Sequence, residues 1–297
     1  MTRVALILGL ALYAGGVLLA QETYDIKLQR PGTVGSKWTV AGSASRAQTQ
    51  TITPSGGQAQ TQENYASIIF EGQVEVLEID KEGRVTKASC VVANCLVGSK
   101  KGENGKEGLA KGTKLTQSMT ESGPSVVTDA GPVAEELADL LGEFLPVEKN
   151  DSKETDDMFD ATGKKVGDSW EVDSAKIAAS LGKSMGSALD PKSIKGKVTI
   201  TAKGTTDGID NLDVAIELAV SPCPPPGMPP DANVEKADLT VTMRGGLPVD
   251  PTLPLIAKEQ SMHYVVAVKG LKDPNGGLAD LNTNVENTSS VELHPVK

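Results

Sequence analysis

Apolar and polar residues alternate with a period of two through most of this chain, which predicts antiparallel strands with one buried face. The clearest run is Ala66, Ile68, Phe70, Gly72, Val74 and Val76 against Ser67, Glu71, Gln73 and Glu75. After Val76 the apolar set moves to Leu77 and Ile79, which predicts a bulge or strand end. Asp80-Lys81-Glu82-Gly83 then makes a turn, and Val85 to Val97 returns. Ile194, Gly196, Val198, Ile200 and Ala202 alternate in the same way, Asp207-Gly208 turns, and Leu212, Val214, Ile216, Leu218 and Val220 follow. Leu115–Met119, Ala237–Met243, Met262–Leu271 and Thr283–Leu293 complete about ten strands.

Two stretches change period. Val133, Leu137, Leu140, Leu141, Phe144 and Leu145 recur at helical spacing, with Pro132 suited to the first turn and Pro146 ending the run. A second amphipathic helix is expected from Ala175 to about Ala188, capped by Ser174, with Ile177, Leu181 and Met185 on one face. Residues 47–63 are rich in Gln and Thr around a Pro-Ser-Gly-Gly break, and they read as a hairpin tip or mobile loop. The pattern as a whole is α+β: a large curled antiparallel sheet, a half-barrel, with two helices.

The only two tryptophans sit in one repeated phrase, Val-Gly-x-x-Trp-x-Val: Val34, Gly35, Trp38 and Val40, then Val166, Gly167, Trp170 and Val172. A glycine turn delivering alternating apolar residues opens a strand. At an offset of 124 residues Val74 falls on Val198, Val76 on Ile200, Val92 on Ile216, Leu115 on Leu239 and Met119 on Met243. These matches suggest an internal duplication, with halves of about 21–150 and 151–297 in a single domain. The tryptophans then read as anchors pinning the first strand of each half.

Residues 1–20 are read as a secretory signal peptide: Arg3, an apolar run from Val4 to Leu19, and Ala20 before Gln21. The expected address is the periplasm or cell envelope of a bacterium, with no transmembrane span after cleavage; retention of the segment as an anchor is the alternative. The net charge is −10 with signs interspersed, so there is no basic stripe for nucleic acid. Three cysteines leave one unpaired in an exported chain. Cys90 falls on Val214, a core position, and Cys95 has the opposite parity, which makes Cys95 the candidate partner for a disulfide with Cys223.

No chemistry of catalysis stands out. Gly182-Lys183-Ser184-Met185-Gly186 fits the nucleophile elbow, but it lies in a predicted helix and follows no buried strand. His263 and His294 have solvent-facing parity. Asp156, Asp157 and Asp160, and Asp207, Asp210 and Asp213, lack calcium-loop order, as does Asn275 to Asp280. No catalytic residue, metal site or cofactor is assigned.

The strand-opening phrase Val166-Gly167-Asp168-Ser169-Trp170 resembles that of uncharacterised exported bacterial families whose architecture is similar to the half-barrel of the LolA/LolB and LppX lipoprotein-handling proteins. That resemblance implies a concave groove able to hold acyl chains; the absence of a lipobox departs from the lipoprotein members. Two functions follow. One is a non-enzymatic carrier of a lipid or other apolar ligand, in a groove lined by Val198, Ile200, Val214, Ile216, Leu218, Val241 and Met243. The other is a structural or protein-interaction module of the envelope, whose helices fill the same groove.

Overall fold

The computed structural model describes residues 22–28, 30–103, 105–147, 158–186, 188–225, 228, 232–272 and 277–296. The expected signal segment, Asp156, Asp157 and Asn275-Gly276 lie outside these residues. The first half contains β1 (Tyr24–Ile26), β2 (Lys37–Pro54), β3 (Gln60–Ile79), β4 (Val85–Gly98), β5 (Lys106–Glu107), β6 (Lys114–Thr120), β7 (Gly123–Thr128), β8 (Gly131–Pro132) and α1 (Glu135–Leu141). The second contains β9 (Ala161–Lys164), β10 (Ser169–Glu171), α2 (Ser174–Met185), β11 (Ile194–Thr206), β12 (Ile209–Val220), β13 (Asn233–Pro248), β14 (Ala257–Lys272) and β15 (Leu278–Pro295).

Thirteen strands form one open antiparallel sheet in the order β10-β11-β12-β13-β14-β15-β2-β3-β4-β6-β7-β8, with β5 beside β4. β1 and β9 make a separate pair. The sheet is not closed into a barrel. The last strand lies at its middle, where β15 pairs with β2 from Ala279 opposite Pro54 to Pro295 opposite Trp38. The two halves of the chain therefore share one hydrogen-bonded surface.

The Gln/Thr tract is a hairpin tip, with strands reaching further into it than its composition suggests: β2 runs to Pro54, residues 55–59 turn, and β3 begins at Gln60. β2 is paired with β15 on one side and β3 on the other, so ladder hydrogen bonds override a composition that favours loops. The first helix is also shorter than its periodicity. Pro132 pairs with Val127 in β8, and Val133 N–H donates to the Val126 carbonyl, so the chain remains extended until the helix begins at Glu135. Phe144 and Leu145 are buried from the turns that follow it. In α2 the cap is Asp173 rather than Ser174: its carboxylate accepts the N–H groups of Ala175 and Lys176 at 3.1 Å. The predicted irregularity after Val76 is present as register shifts between Val76 and Ile79.

Both tryptophans follow the same turn. Gly35 and Gly167 adopt φ of 83° and 91°, a conformation that favours glycine. Gly35 N–H donates to the Val76 carbonyl and Val76 N–H to Ser36; Gly167 N–H donates to Ile200 and Ile200 N–H to Asp168. Trp38 lies opposite Val74 and Trp170 opposite Val198. The turns lie 132 residues apart, from Gly35 to Gly167, whereas their partner strands lie 124 apart, from Val74 to Val198. The offset of 124 does not describe the register beyond, since Cys90 pairs with Leu115 while Val214 pairs with Gly245.

Candidate functional site

One row of cross-strand neighbours runs across the sheet: Val198, Ile216, Met243, Gln260, Ser289, Ala44 and Ile68. Directly opposed residues share a face, so this row places both helices on the same side. At one end α1 covers a core of β2, β3, β4 and β6, with Leu140, Leu141, Phe144 and Leu145 over Ile68, Phe70 and Cys90. The Phe70 and Phe144 rings are 5.2 Å apart. At the other end α2 lays Ile177 and Ala178, with Leu181 and Met185, over β11 and β12.

The seven residues expected to line a groove all belong to this face. Val198, Ile200, Val214 and Ile216 are fully buried in the core beneath α2. Leu218 and Met243 are half-buried against that core, and Val241 is half-buried on the same row as Leu218. Their space is occupied by the protein's own helix. Between the helices the row turns polar at Gln260 and Ser289. A cleft there of about 40 Å³ is lined by Ala44, Arg46, Asp139, Leu140, Glu143 and Asn287 among others, and Arg46 reaches Asp139 at 3.4 Å. That volume suits a water or two rather than an acyl chain.

Open space lies on both sides of the molecule: a shallow depression of about 560 Å³ runs along α2, bordered by Ala175, Ala179, Gly182, Lys183, Leu189 and Pro191 among others, and two more lie on the face away from the helices. A depression of about 410 Å³ is bordered by two outward rows, Ala215–Arg244–Glu259–Ser290 and Glu217–Thr242–Ser261–Thr288, and floored by the row between them. A second depression, of about 390 Å³, adjoins it through Ser290 and is bordered by Ala41, Ser43, Ile69, Glu71, Asn94 and Glu292. Their rims carry hydroxyl, carboxylate and amide groups with Arg244, and between them Ala41, Ala215 and Ile69 leave apolar surface exposed.

The thiols are all free and buried. Cys95 belongs to the core under α1 and Cys223 to the core under α2, so the expected Cys95–Cys223 bridge is not made. Cys223 instead lies 3.8 Å from the Met185 sulfur, and its carbonyl accepts the Tyr264 hydroxyl. Burial pushes the Cys90 thiol up to about 12 and raises Cys95 and Cys223 as well.

His263 is exposed and bonded to Asn284 at 2.7 Å, and His294 is bonded to Asp207 at 2.7 Å; neither has a nucleophile as its partner. The Gly182–Gly186 stretch ends α2, with Gly186 as a left-handed cap, and is not a strand-to-helix elbow. Asp160 accepts the Leu28 N–H and Asp210 the Thr205 hydroxyl. Among the described residues no group of three or more His, Cys, Asp or Glu side chains could hold a metal ion. No described helix is long and apolar enough to cross a membrane.

Arg30 was invisible to pattern reading. Its guanidinium donates to the carbonyls of Pro248 at 2.8 Å and Asp250 at 3.1 Å, tying the N-terminal segment to the far end of β13. Partial burial lowers its pKa, offset by Asp250 and Asp160.

No protein-family model matches the chain, and no curated protein matches it. Among solved structures it is similar to one described as lipid-protein interactions in lipovitellin, with a TM-score of 0.32 and 6% identity, covering 89% of this chain and 26% of that one. The chain thus spans about a quarter of that protein's length. The structure of DynF from the dynemicin biosynthesis pathway of Micromonospora chersina gives a TM-score of 0.16 and 8% identity, over 91% and 85% of the two chains.

Proposed function

We propose that this chain is a non-enzymatic interaction module, exported to the periplasm or cell envelope, that meets its partner through the polar face of the sheet. The observation that carries the reading is the division of labour between the faces. Each half of the apolar face is filled by its own helix, with Val198, Ile200, Val214 and Ile216 at 5% exposure or less. The face away from the helices has two adjoining open depressions lined by Glu217, Glu259, Glu71, Glu292 and hydroxyl side chains. A partner matched to those carboxylate-bearing rims presents hydrogen-bond donors and basic groups.

The test is native mass spectrometry of protein purified from its own host, followed by organic extraction. A bare polypeptide mass, together with loss of partner cross-links on Glu259→Lys, supports the module. A stoichiometric co-purifying lipid overturns it.

A second reading keeps an apolar ligand. Leu218, Val241 and Met243 stay half-buried at the margin of α2, where a lipid could enter if the helix moved aside. Delipidated protein that takes up a fluorescent fatty acid, and loses that uptake on Met243→Glu, supports this reading. Saturation without uptake ends it.

A further inference from the structure

The sheet has a third stretch of edge besides its two ends, and that stretch is unguarded. At one end β8 is two residues long and finishes in Pro132. At the other end β10 is three residues long, and beyond it the exposed run of β11 is crossed by Lys203, which bonds Glu22 at 2.6 Å and lies 5.5 Å over the Tyr24 ring. Short strands, proline and lysine are the usual devices against edge-to-edge pairing. The third stretch is the start of β3. From Gln60 to Ala66 it pairs with β2 on one side, whereas β4 joins on the other only at Ser67 opposite Gly98. It contains no proline, no lysine and no register shift, and Gln60–Asn64 are exposed.

The direction of its backbone groups follows from the ladder. Val76 turns both its N–H and its carbonyl towards the Gly35-Ser36 turn that leads into β2, and the register runs unbroken from β3 Glu75 back to Gln60. Even-numbered residues of β3 therefore bond β2, and Thr61, Glu63 and Tyr65 direct their backbone groups outwards.

We propose that this edge pairs antiparallel with the same edge of a second copy of the chain, so that the sheet continues from one protomer into the next across a twofold axis. An antiparallel edge is self-complementary by symmetry. With the axis at Gln62, Thr61 faces Glu63 of the second copy and Gln60 faces its Asn64. Amides then meet amides, and no carboxylate opposes its own copy. The contact is small, so the dimer is weak and depends on concentration. The proposal is independent of what the polar depressions bind.

Sedimentation velocity of the purified protein across a hundredfold range of concentration reads the association. A monomer-to-dimer shift is expected. Glu63→Pro removes one outward N–H and leaves the ladder with β2 intact, so this variant stays monomeric with unchanged circular dichroism. Gln62→Cys provides a second measurement that does not depend on that substitution folding. On the axis, non-hydrogen-bonded partners lie about 4.5 Å apart between Cα atoms, within reach of a disulfide, and mild oxidation yields a covalent dimer. Wild-type protein that is monomeric throughout, or a Glu63→Pro variant that associates as wild type does, overturns the proposal.

Discussion

The side-chain amide of Gln117 closes a two-bond ring with the backbone of Val147, its Nε2 donating to the carbonyl at 3.0 Å and its Oε1 accepting the N–H at 2.8 Å. Both residues are buried, at 2% exposure each. The ring fastens the segment after α1 to β6 and holds Phe144 and Leu145 over the first core. Gln117→Leu removes the partner of two buried backbone groups, each of which costs about 1–3 kcal/mol when left unpaired. Urea unfolding should show a lower midpoint with an unchanged slope. A loss below about 1 kcal/mol would mean that water replaces the amide.

The two tryptophans make opposite predictions. Trp38 is 6% exposed and its indole N–H has no partner, whereas Trp170 is half-buried, donates to the Phe159 carbonyl at 3.1 Å and carries the Lys164 ammonium 5.3 Å above its ring. Trp170→Phe should leave a blue-shifted emission from Trp38 alone, and Trp38→Phe the redder emission of Trp170. Replacing Trp170 also gives up a hydrogen bond, a net loss of about 0.5–1.5 kcal/mol, while replacing Trp38 removes an unsatisfied donor. Emission maxima in the reverse order would contradict the burial of Trp38.

Much of the sheet could be read from the chain because strand faces are written in period two: Val198, Val214 and Ile216 fall on one side by parity alone. Gln117 shows where parity misleads. It shares the face of Leu115 and Met119, and nothing in the local sequence says that Val147, thirty residues on, will satisfy it. The Gln/Thr tract reads as a hairpin tip, but how far its strands extend was not legible, since β2 is held there by β15, more than two hundred residues away. The predicted groove residues share one face of the sheet. What covers them depends on how α2 packs, and a hydrophobic period records that a face is buried without recording by what.

Three free thiols in three buried positions give a direct chemical test. Unfolding in guanidinium without reductant should release three titratable thiols per chain, against one if Cys95 and Cys223 were bridged. In the folded protein at pH 8, Cys90 should resist alkylation, because burial holds its thiol at about 12 and little thiolate exists to react. Rapid native labelling of Cys90 would show that the first core opens readily.

Asp207 and His294 lie 2.7 Å apart, although their strands are separated in the sheet by β13 and β14. Strands are spaced about 4.8 Å apart, so in a flat sheet β12 and β15 would stand roughly 14 Å from each other. The hairpin tip therefore reaches over the end of the sheet on the face away from the helices, where His294 projects. Its hydrogen bond to Asp207, seconded by Glu292, raises the His294 pKa above its ordinary 6.5. A group raised on folding adds stability below its unfolded value and loses that contribution as pH rises through the folded one. The tie should therefore be intact in acidic solution and fade as pH rises through the raised folded-state value. Titration of the imidazole by NMR should give a value above 6.5 in the wild type, falling towards 6.5 in Asp207→Asn and by less in Glu292→Gln. Asp207→Asn should also flatten the acid-side gain in thermal stability. An imidazole that titrates identically in wild type and Asp207→Asn would place the hairpin tip away from β15 in solution.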